Sequence, residues 1–418
     1  MAVTPVWRSG ATESRRARQR RSEERLTVRR GMRLDFIMQL LSSWAWIALL
    51  WAGGGMAWGD GTGTVVVGME DFIGGTGETA AQVVREDLNA SGVLRMRDGT
   101  VASGAGWTLR GSSSAGRIDG ALLDGKGAVV FNNHYADPDL RDNAHAFSDD
   151  VVTAITGGRG MAGTKLAFVS GRSGAPEIYL ADSDGQRVRQ VTTDRALKGA
   201  PALAPGSILL AFTSWQSGFA DVVLKDLRFG TERTVLNAPG TNSGVAFSHD
   251  GTRLALSMSY EGNAEIYVST LTGSRVKRVT EARSVEFSPA WSPDGARIVF
   301  CSDAGGAPQL FVVPRKGGDP ERLETGYRHN TSPEWSPDGS RIAFTGRQNS
   351  GAAVMLYDLA AGKSRVLLPR AEDPTWAPDG RHLAAVQEGA LVVVDTVTGS
   401  SRTIVSGFAG LSEPAWSR

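Results

Sequence analysis

The stretch AWSPDGARIVF, residues 290–300, contains the motif that decides the fold. Close copies are EWSPDGSRIAF at 334–344 and TWAPDGRHLAA at 375–385, and looser copies are AFSHDGTRLAL at 246–256 and ALAPGSILLAF at 202–212. A half-copy, EPAWSR, stands at 413–418. The aromatic residue of the motif, or its substitute, recurs at steps of 44, 44, 44, 41 and 40 residues. A repeat of about 40–45 residues with several strand signals is typical of a β-propeller blade.

Each part of the motif has a physical role in a β-hairpin. Pro presets φ at the second position of a turn, Asp suits the next position, and Gly adopts the left-handed conformation that closes the hairpin. The residues that follow alternate as in a half-buried strand. A catalytic group need not recur in every copy, so we interpret the repeated residues as core and turn positions. They are Trp291, Asp294, Gly295, Trp335, Asp338, Gly339, Trp376, Asp379, Gly380 and Trp416.

The two ends of the repeat region predict how the propeller closes. The first copy begins with a second strand, KLAFVS at 165–170, and no SPDG motif precedes it. The half-copy around Trp416 supplies a first strand only. Pairing the two would complete one blade and remove a free sheet edge. The sequence therefore predicts an all-β, six-bladed propeller over residues 164–418.

The composition is that of a turn-rich β-protein with almost no net charge. Of 418 residues 52 are Gly, 21% are charged, and the formal net charge is +1. Basic residues are not interleaved with aromatic ones, so we expect no nucleic-acid partner. The one cysteine, Cys301, lies in a predicted strand and is interpreted as a buried apolar residue.

The N-terminal segment has the pattern of a secretory signal peptide. Residues 36–58 are 23 residues without a charge, and an arginine-rich stretch precedes them. An apolar segment followed by small residues, here Gly at 53–55, is typical of a cleaved signal. We expect residues 1–59 to be this signal, with Met32 as a possible natural start. The alternative is an uncleaved anchor, since the uncharged stretch is long enough to cross a bilayer.

Residues 62–163 are predicted to form a small α/β domain. TVVVGMEDF reads as a buried strand, and ETAAQVVREDLNASG reads as a helix with Ala80, Val83, Val84 and Leu88 on one face. Further strands follow, and DLRDNAHAFSDDVVTAITGGRG reads as a second helix. This order of elements indicates helices packed against a sheet.

Several segments together resemble the TolB family of periplasmic propeller proteins. VVREDLNASGVL at 83–94 is similar to a helix end of the family, and LRDNAHAFSDDVVTAITGGRG at 140–160 is similar to its junction between domains. YLADSDG, PGTNSGVAFSHDG, CSDAGGAPQLF and the final EPAWS match further landmarks. The resemblance covers nearly the whole chain after the signal. Two repeats depart from the pattern, with Pro-Gly-Ser at 205–207 and His249 in place of Pro.

The resemblance implies a non-enzymatic periplasmic interaction protein. Family members belong to the Tol–Pal system, bind the peptidoglycan-associated lipoprotein Pal, and help to maintain outer-membrane integrity and constriction during division. A Pal-like partner, a monomeric state and no cofactor are therefore expected. A TolA-like inner-membrane protein is a further candidate partner, although the short glycine-rich stretch after the signal does not match the family segment that contacts TolA.

A secreted propeller enzyme of the lyase or glycoside hydrolase type is the alternative function. It would need paired acids and a histidine at one mouth of the propeller, and the sequence shows no such set. The five histidines are scattered, so no zinc site is expected. Asp182-Ser-Asp184-Gly is the most calcium-like string, but it lacks a downstream carboxylate, and a solvated turn is favoured. His145 could be a ligand or base, although an interdomain hydrogen bond is the favoured interpretation.

The predicted partner-binding surface is the mouth at which the innermost strands begin, because loops on a rigid scaffold commonly carry function. We expect a triple variant at Asn242, Glu286 and Asn330 to lose binding with a nearly unchanged melting temperature. The loops before each repeated aromatic residue contribute Thr241, Asn242, Glu286, Phe287, Asn330, Thr331 and Glu372.

Overall fold

The computed structural model describes residues 64–99, 106–348 and 351–418. The expected signal peptide and the start at Met32 lie outside these residues. None of the helices in the described ranges is both long and apolar enough to cross a membrane.

The small α/β unit is a five-stranded mixed sheet with two helices, counted over the described residues. Its order is β2-β1-β3-β4-β5, with β1 parallel to both neighbours and the other pairs antiparallel. The strands are β1 (Val65–Met69), β2 (Leu94–Asp98), β3 (Trp107–Ser114), β4 (Arg117–Leu123) and β5 (Val129–Tyr135). Helix α1 (Gly77–Ala90) follows β1, and α2 (Leu140–Thr156) follows β5.

Both helices are amphipathic, and their apolar faces form the core of this unit. The predicted face of α1 is buried, with Ala80 and Leu88 fully enclosed. Helix α2 begins at a cap in which Asp139 accepts a hydrogen bond from the backbone of Arg141 at 2.8 Å. Its Phe147 packs so closely on the sheet that a Cβ at Gly120 would lie 2.6 Å from the ring. The division of the chain at residues 62–163 and 164–418 stays a proposal.

Six four-stranded antiparallel sheets within the described residues form the blades of a propeller. Blade 1 contains β6 (Lys165–Ser170), β7 (Glu177–Asp182) and β8 (Arg189–Gln190). Blade 2 contains β9 (Lys198–Leu203), β10 (Leu209–Ser214), β11 (Asp221–Asp226) and β12 (Glu232–Leu236). Blade 3 contains β13 (Asn242–Phe247), β14 (Arg253–Met258), β15 (Glu265–Thr270) and β16 (Lys277–Arg278).

The remaining blades repeat this arrangement. Blade 4 contains β17 (Glu286–Trp291), β18 (Arg297–Ser302), β19 (Gln309–Pro314) and β20 (Glu321–Arg322). Blade 5 contains β21 (Asn330–Trp335), β22 (Arg341–Gln348), β23 (Gly351–Asp358) and β24 (Lys363–Pro369). Blade 6 contains β25 (Ala371–Trp376), β26 (His382–Gln387), β27 (Ala390–Asp395) and β28 (Ser401–Val405). The predicted fold class is confirmed.

The last strand, β29 (Ser412–Trp416), completes blade 1 by pairing with β6. The sheet order is β29-β6-β7-β8, so the predicted closure is confirmed. Trp416 is 3% exposed, and its indole N–H donates to Thr164 Oγ1 at 2.7 Å. Closure therefore joins the two ends of the propeller through the sheet and through a buried aromatic residue.

The repeated turns are held by the side chains of the motif itself. In blade 4 the Ser292 hydroxyl donates to Asp294, and the Asp294 carboxylate accepts the backbone N–H of Ala296 at 3.0 Å. Gly295 has φ of 63°, a left-handed conformation that suits glycine. These bonds hold the pKa of Asp294 below its usual range, with the Ser292 hydroxyl as the largest cause.

Candidate functional site

The innermost strands enclose a central channel and bend into it in the same way. One residue near the start of each innermost strand, the third in five of them and the second in β29, has φ between roughly 46° and 65°. The pairing register with the second strand shifts at this point. Such a bulge re-aims side chains. The resulting cavity has a volume of about 240 Å³. The left-handed residues are Ala200, Gly244, Ser288, Ser332, Asp373 and Glu413.

One side of the channel is acidic. Glu334, Asp373 and Glu413 come from β21, β25 and β29, which belong to successive blades. Asp373 accepts hydrogen bonds from the Ser332 hydroxyl at 2.7 Å and from the backbone of Glu413 at 3.3 Å. Glu334 forms an ion pair with Arg418 at 2.5 Å. The acidic side chains therefore link neighbouring innermost strands.

Glu413 is the carboxyl group on this side of the channel whose charged form is disfavoured by burial. Its carboxylate accepts the backbone N–H of Ala200 at 2.6 Å, which joins blade 1 to blade 2. Burial raises the pKa of Glu413, and the nearby charge of Asp373 raises it further against the lowering effect of the Ala200 bond. The opposite wall is formed by Gly244, Ala246, Ser288 and Ala290 and carries no charged side chain. The described channel is thus electrostatically one-sided.

The two ends of the channel are named here by strand direction. The N-terminal mouth is the end at which β9, β13, β17, β21, β25 and β29 begin, and the C-terminal mouth is the end at which they finish. The antiparallel pairing places the loops between second and third strands at the N-terminal mouth too. The loops between third and fourth strands lie at the C-terminal mouth.

Three of the sequence-predicted contact residues are buried, which corrects the expectation that they are loop side chains. Asn242, Glu286 and Asn330 are each the first residue of an innermost strand and are at most 2% exposed. Asn242 donates to the backbone of Ala220 at 3.0 Å and of Ala238 at 2.7 Å. Alternation along the strand turns these side chains between blades. Replacing these buried side chains should therefore lower the melting temperature, contrary to the expectation for the triple variant.

Glu286 is one of a pair of buried carboxyl groups. It accepts hydrogen bonds from Ser284 at 2.5 Å and Ser302 at 2.8 Å. Burial raises the pKa of Glu286, and the neighbouring Glu265 adds to this rise. Glu265 keeps a lowered pKa, because bonds from Ala282, Thr280 and Arg278 outweigh its burial. Glu286 is thus the member of the pair whose pKa is raised.

The other predicted contact residues are accessible at the N-terminal mouth. Thr241 and Glu372 are exposed, and Phe287 and Thr331 are half-buried. The structure adds exposed apolar side chains that the sequence reasoning missed, because it considered only the loops before the innermost strands. They are Leu197, Phe219, Tyr260 and Val285, with Phe219 70% and Tyr260 55% exposed.

Comparison with known proteins identifies the family of this chain. The family model described as TolB beta propeller domain matches residues 152–418. The chain belongs to the TolB β-propeller family. It is 40% identical over 104 residues to the protein TolB homolog of Chlorobium chlorochromatii, which is 24% of each chain. It is 48% identical over 67 residues to the Tol-Pal system protein TolB of Geobacter metallireducens, 16% of each chain. The matched segments thus span about a quarter or less of these curated relatives.

A solved TolB structure extends the likeness beyond the propeller. The crystal structure of TolB from Acinetobacter baumannii matches with a TM-score of 0.73 and 25% sequence identity. The match covers 85% of this chain and 96% of that one. The covered share of this chain is larger than the share that the blades alone occupy. The small unit is therefore part of the TolB-like architecture.

One feature of the channel bears on the alternative that the protein is a propeller enzyme. The sequence reasoning found no paired acids at a mouth, whereas in the structure Asp373 bonds to the backbone of Glu413 and its charge raises the pKa of the Glu413 carboxyl group. No histidine lines the described cavity. In the described ranges, no three His, Cys, Asp or Glu side chains are grouped so as to hold a metal ion.

The calcium-like string lies at the seam between the TolB-like small unit and blade 1. Asp182 is 3% exposed, which corrects the expectation of a solvated turn. It accepts hydrogen bonds from Lys165 at 2.8 Å and Arg187 at 2.6 Å. Asp184 pairs with Arg141 of α2. The two carboxylates are therefore occupied by cations of this chain.

His145 lies beside this seam. Its Nδ1 is 2.8 Å from Asp87 of α1, so its hydrogen bond lies within the small unit and not between the domains, as the sequence suggested. Its Nε2 has no hydrogen-bond partner among the described residues and lies 3.9 Å from Asp182 of blade 1. The residue itself is fully buried.

Proposed function

We propose that this protein is a non-enzymatic, periplasmic component of a Tol–Pal system. On this proposal it binds a Pal-like peptidoglycan-associated lipoprotein and so helps to maintain outer-membrane integrity and constriction during cell division. Membership of the TolB family supports the proposal, as does the relative in Geobacter metallireducens that is named a Tol-Pal system protein. A TolA-like inner-membrane protein is proposed as a second partner.

The proposed Pal-binding surface is the N-terminal mouth. The observation that carries it is the set of exposed apolar side chains there, next to accessible hydroxyl and carboxylate groups. Phe219 and Tyr260 extend from neighbouring blades 2 and 3, and Thr241 lies between these two loops in sequence. Aromatic side chains with a polar surround are typical of protein–protein interfaces. Phe287, Thr331 and Glu372 are proposed to line the inner rim of this surface.

The buried residues have a different proposed role. Asn242, Glu286 and Asn330 position the rim from beneath, because their side chains bond to the loops that carry it. Asn330, for example, donates to the backbone oxygen of Tyr327 at 3.1 Å and to Thr325 at 3.0 Å. Direct contact of these three residues with a partner stays a prediction.

Blade 2 offers a matched pair of variants that tests the proposed mouth. Phe219 and Phe229 are 70% and 74% exposed, but Phe219 lies at the N-terminal mouth and Phe229 at the C-terminal mouth. Loss of an aromatic contact at an interface costs more than about 1 kcal/mol, or roughly fivefold to tenfold in Kd. Phe219→Ala should therefore weaken binding of the organism's own Pal-like domain, measured by titration calorimetry, while Phe229→Ala should not.

Equal affinity of Phe219→Ala and the unaltered protein would exclude this side of the rim. Weakening by Phe229→Ala alone would place the partner at the C-terminal mouth instead. Both variants remove an exposed side chain, so neither should lower the melting temperature measurably.

A further inference from the structure

The seam between the small unit and the propeller is built from charges that face each other. Arg141 of α2 pairs with Asp184 of the turn after β7, and Lys165 of β6 lies 3.3 Å from Asp142 of α2. Arg187 also crosses the seam, with 2.8 Å between its guanidinium and Asp139. Apolar contact is sparse by comparison, with Ala90 of α1 packed on the cluster of blades 1 and 6. The orientation of the small unit therefore depends mainly on charge.

His145 is the group of this seam whose charge can change near neutral pH. It lies between two carboxylates, one on each side: Asp87 of the small unit at 2.8 Å and Asp182 of blade 1 at 3.9 Å. Only the protonated ring can donate from Nδ1 to Asp87 and also present a positive Nε2–H to Asp182. The neutral ring leaves Nε2 as a buried polar atom without a partner, which is unfavourable.

We propose that His145 is a proton-controlled latch that holds the small unit against blade 1 of the propeller. When the ring is protonated, it bridges the carboxylates of the two sides. When the ring is neutral, the bridge to the propeller is lost, only the remaining ion pairs hold the seam, and the small unit turns more readily about the linker at residues 157–163.

The charges around the ring favour its protonation when the two sides are docked. Burial lowers the pKa of His145, but the hydrogen bond and charge of Asp87, with the charge of Asp184, outweigh it, so the pKa lies above its ordinary value. A raised histidine pKa means that the stabilisation is complete below about pH 6.5, the unfolded value, and is lost as pH rises through the folded value. The charged groups of the seam around the ring, from all the elements packed there, are Asp87, Asp139, Arg141, Asp142, Asp149, Lys165, Asp182, Asp184, Arg187 and, from β28, Arg402.

Asp149 is a second titrating group of the junction and must be separated from His145. Its carboxylate accepts the backbone N–H groups of Ala162 and Gly163 in the linker at 2.8 Å and 2.9 Å. Burial raises the pKa of Asp149 to about 6. A variant of His145 leaves this clamp in place, so any pH response that persists in the variant belongs to Asp149.

The test measures the distance between the small unit and the propeller as a function of pH. Spin labels at Glu78→Cys in α1 and Asp319→Cys in blade 4 are both on exposed positions, and the native Cys301 is fully buried. Pulsed electron–electron double resonance should give one narrow distribution of the distance between the two labels at pH 5.5. The distribution should broaden as the pH rises to 9, with the midpoint at the titration of the His145 ring measured by NMR.

Two variants decide the assignment. His145→Gln keeps a donor toward Asp87 but cannot be protonated, so its distance distribution should not change with pH. His134→Gln is the matched control, because His134 pairs with Asp119 at the exposed surface of the same unit. It should follow the unaltered protein. An unchanged distribution in the unaltered protein, a transition that persists in His145→Gln, or midpoints of distance and ring titration that differ would each overturn the proposal.

Discussion

Removal of the Trp416 side chain should weaken the closure of the propeller. The indole is 3% exposed, packs in the cluster that contains Leu166 and Phe168, and donates to Thr164. A buried tryptophan replaced by alanine costs about 3–5 kcal/mol. At about 2 °C per kcal/mol, the lower end for larger domains, Trp416→Ala should lower the melting temperature by about 6–10 °C. Differential scanning calorimetry measures this shift.

Trp335 and Phe229 supply the comparisons. Trp335 is fully buried at the equivalent position of blade 5, so Trp335→Ala should cost a similar amount, whereas Phe229→Ala, at an exposed site, should cost almost nothing. Deletion of 411–418 removes all of β29 and the Arg418–Glu334 ion pair, and this protein should aggregate. A truncated protein that stays monomeric and melts at the original temperature would refute the reasoning about closure.

Further predictions concern the turn, the channel and the buried thiol. Gly295→Val forces a β-branched residue into a left-handed conformation and should cost about 1–3 kcal/mol in a chemical unfolding experiment, with Pal affinity per folded molecule unchanged. Glu413→Gln should flatten the pH dependence of stability, because the raised pKa of Glu413 makes the unaltered protein lose stability as pH rises above about 4.5; an unchanged profile would contradict this. Cys301 is fully buried and burial raises its pKa, so it should react with thiol reagents only on unfolding.

The fold could be predicted because the decisive information is local and repeated. The turn residues around Asp294 bond to each other within six residues, and the same turn recurs in later blades. The apolar positions of α1 have helical spacing, so their burial against the sheet follows from the sequence too. The closure of the propeller could be predicted because the half-copy at Trp416 supplies the first strand that the blade beginning at 165–170 lacks.

The candidate site could be predicted only in part, because it depends on neighbours that are distant in sequence. The loop that precedes Asn242 was placed at the correct end of the channel, but a shift of one residue along a strand turns a side chain from the surface to the core. The acidic side of the channel was missed, since Glu334, Asp373 and Glu413 each lie about one blade apart in sequence. The exposed Phe219 lies in a loop that carries no motif.

Hydrogen–deuterium exchange of the propeller with and without its Pal-like partner tests the proposed surface most directly. We expect protection of the loops at the N-terminal mouth, around residues 192–197, 215–220, 237–241, 259–264 and 280–285. The loops at the C-terminal mouth, such as 227–231 and 271–276, should exchange at unchanged rates. Protection confined to the C-terminal mouth, or none at either mouth, would contradict the proposal that this end of the channel binds the partner.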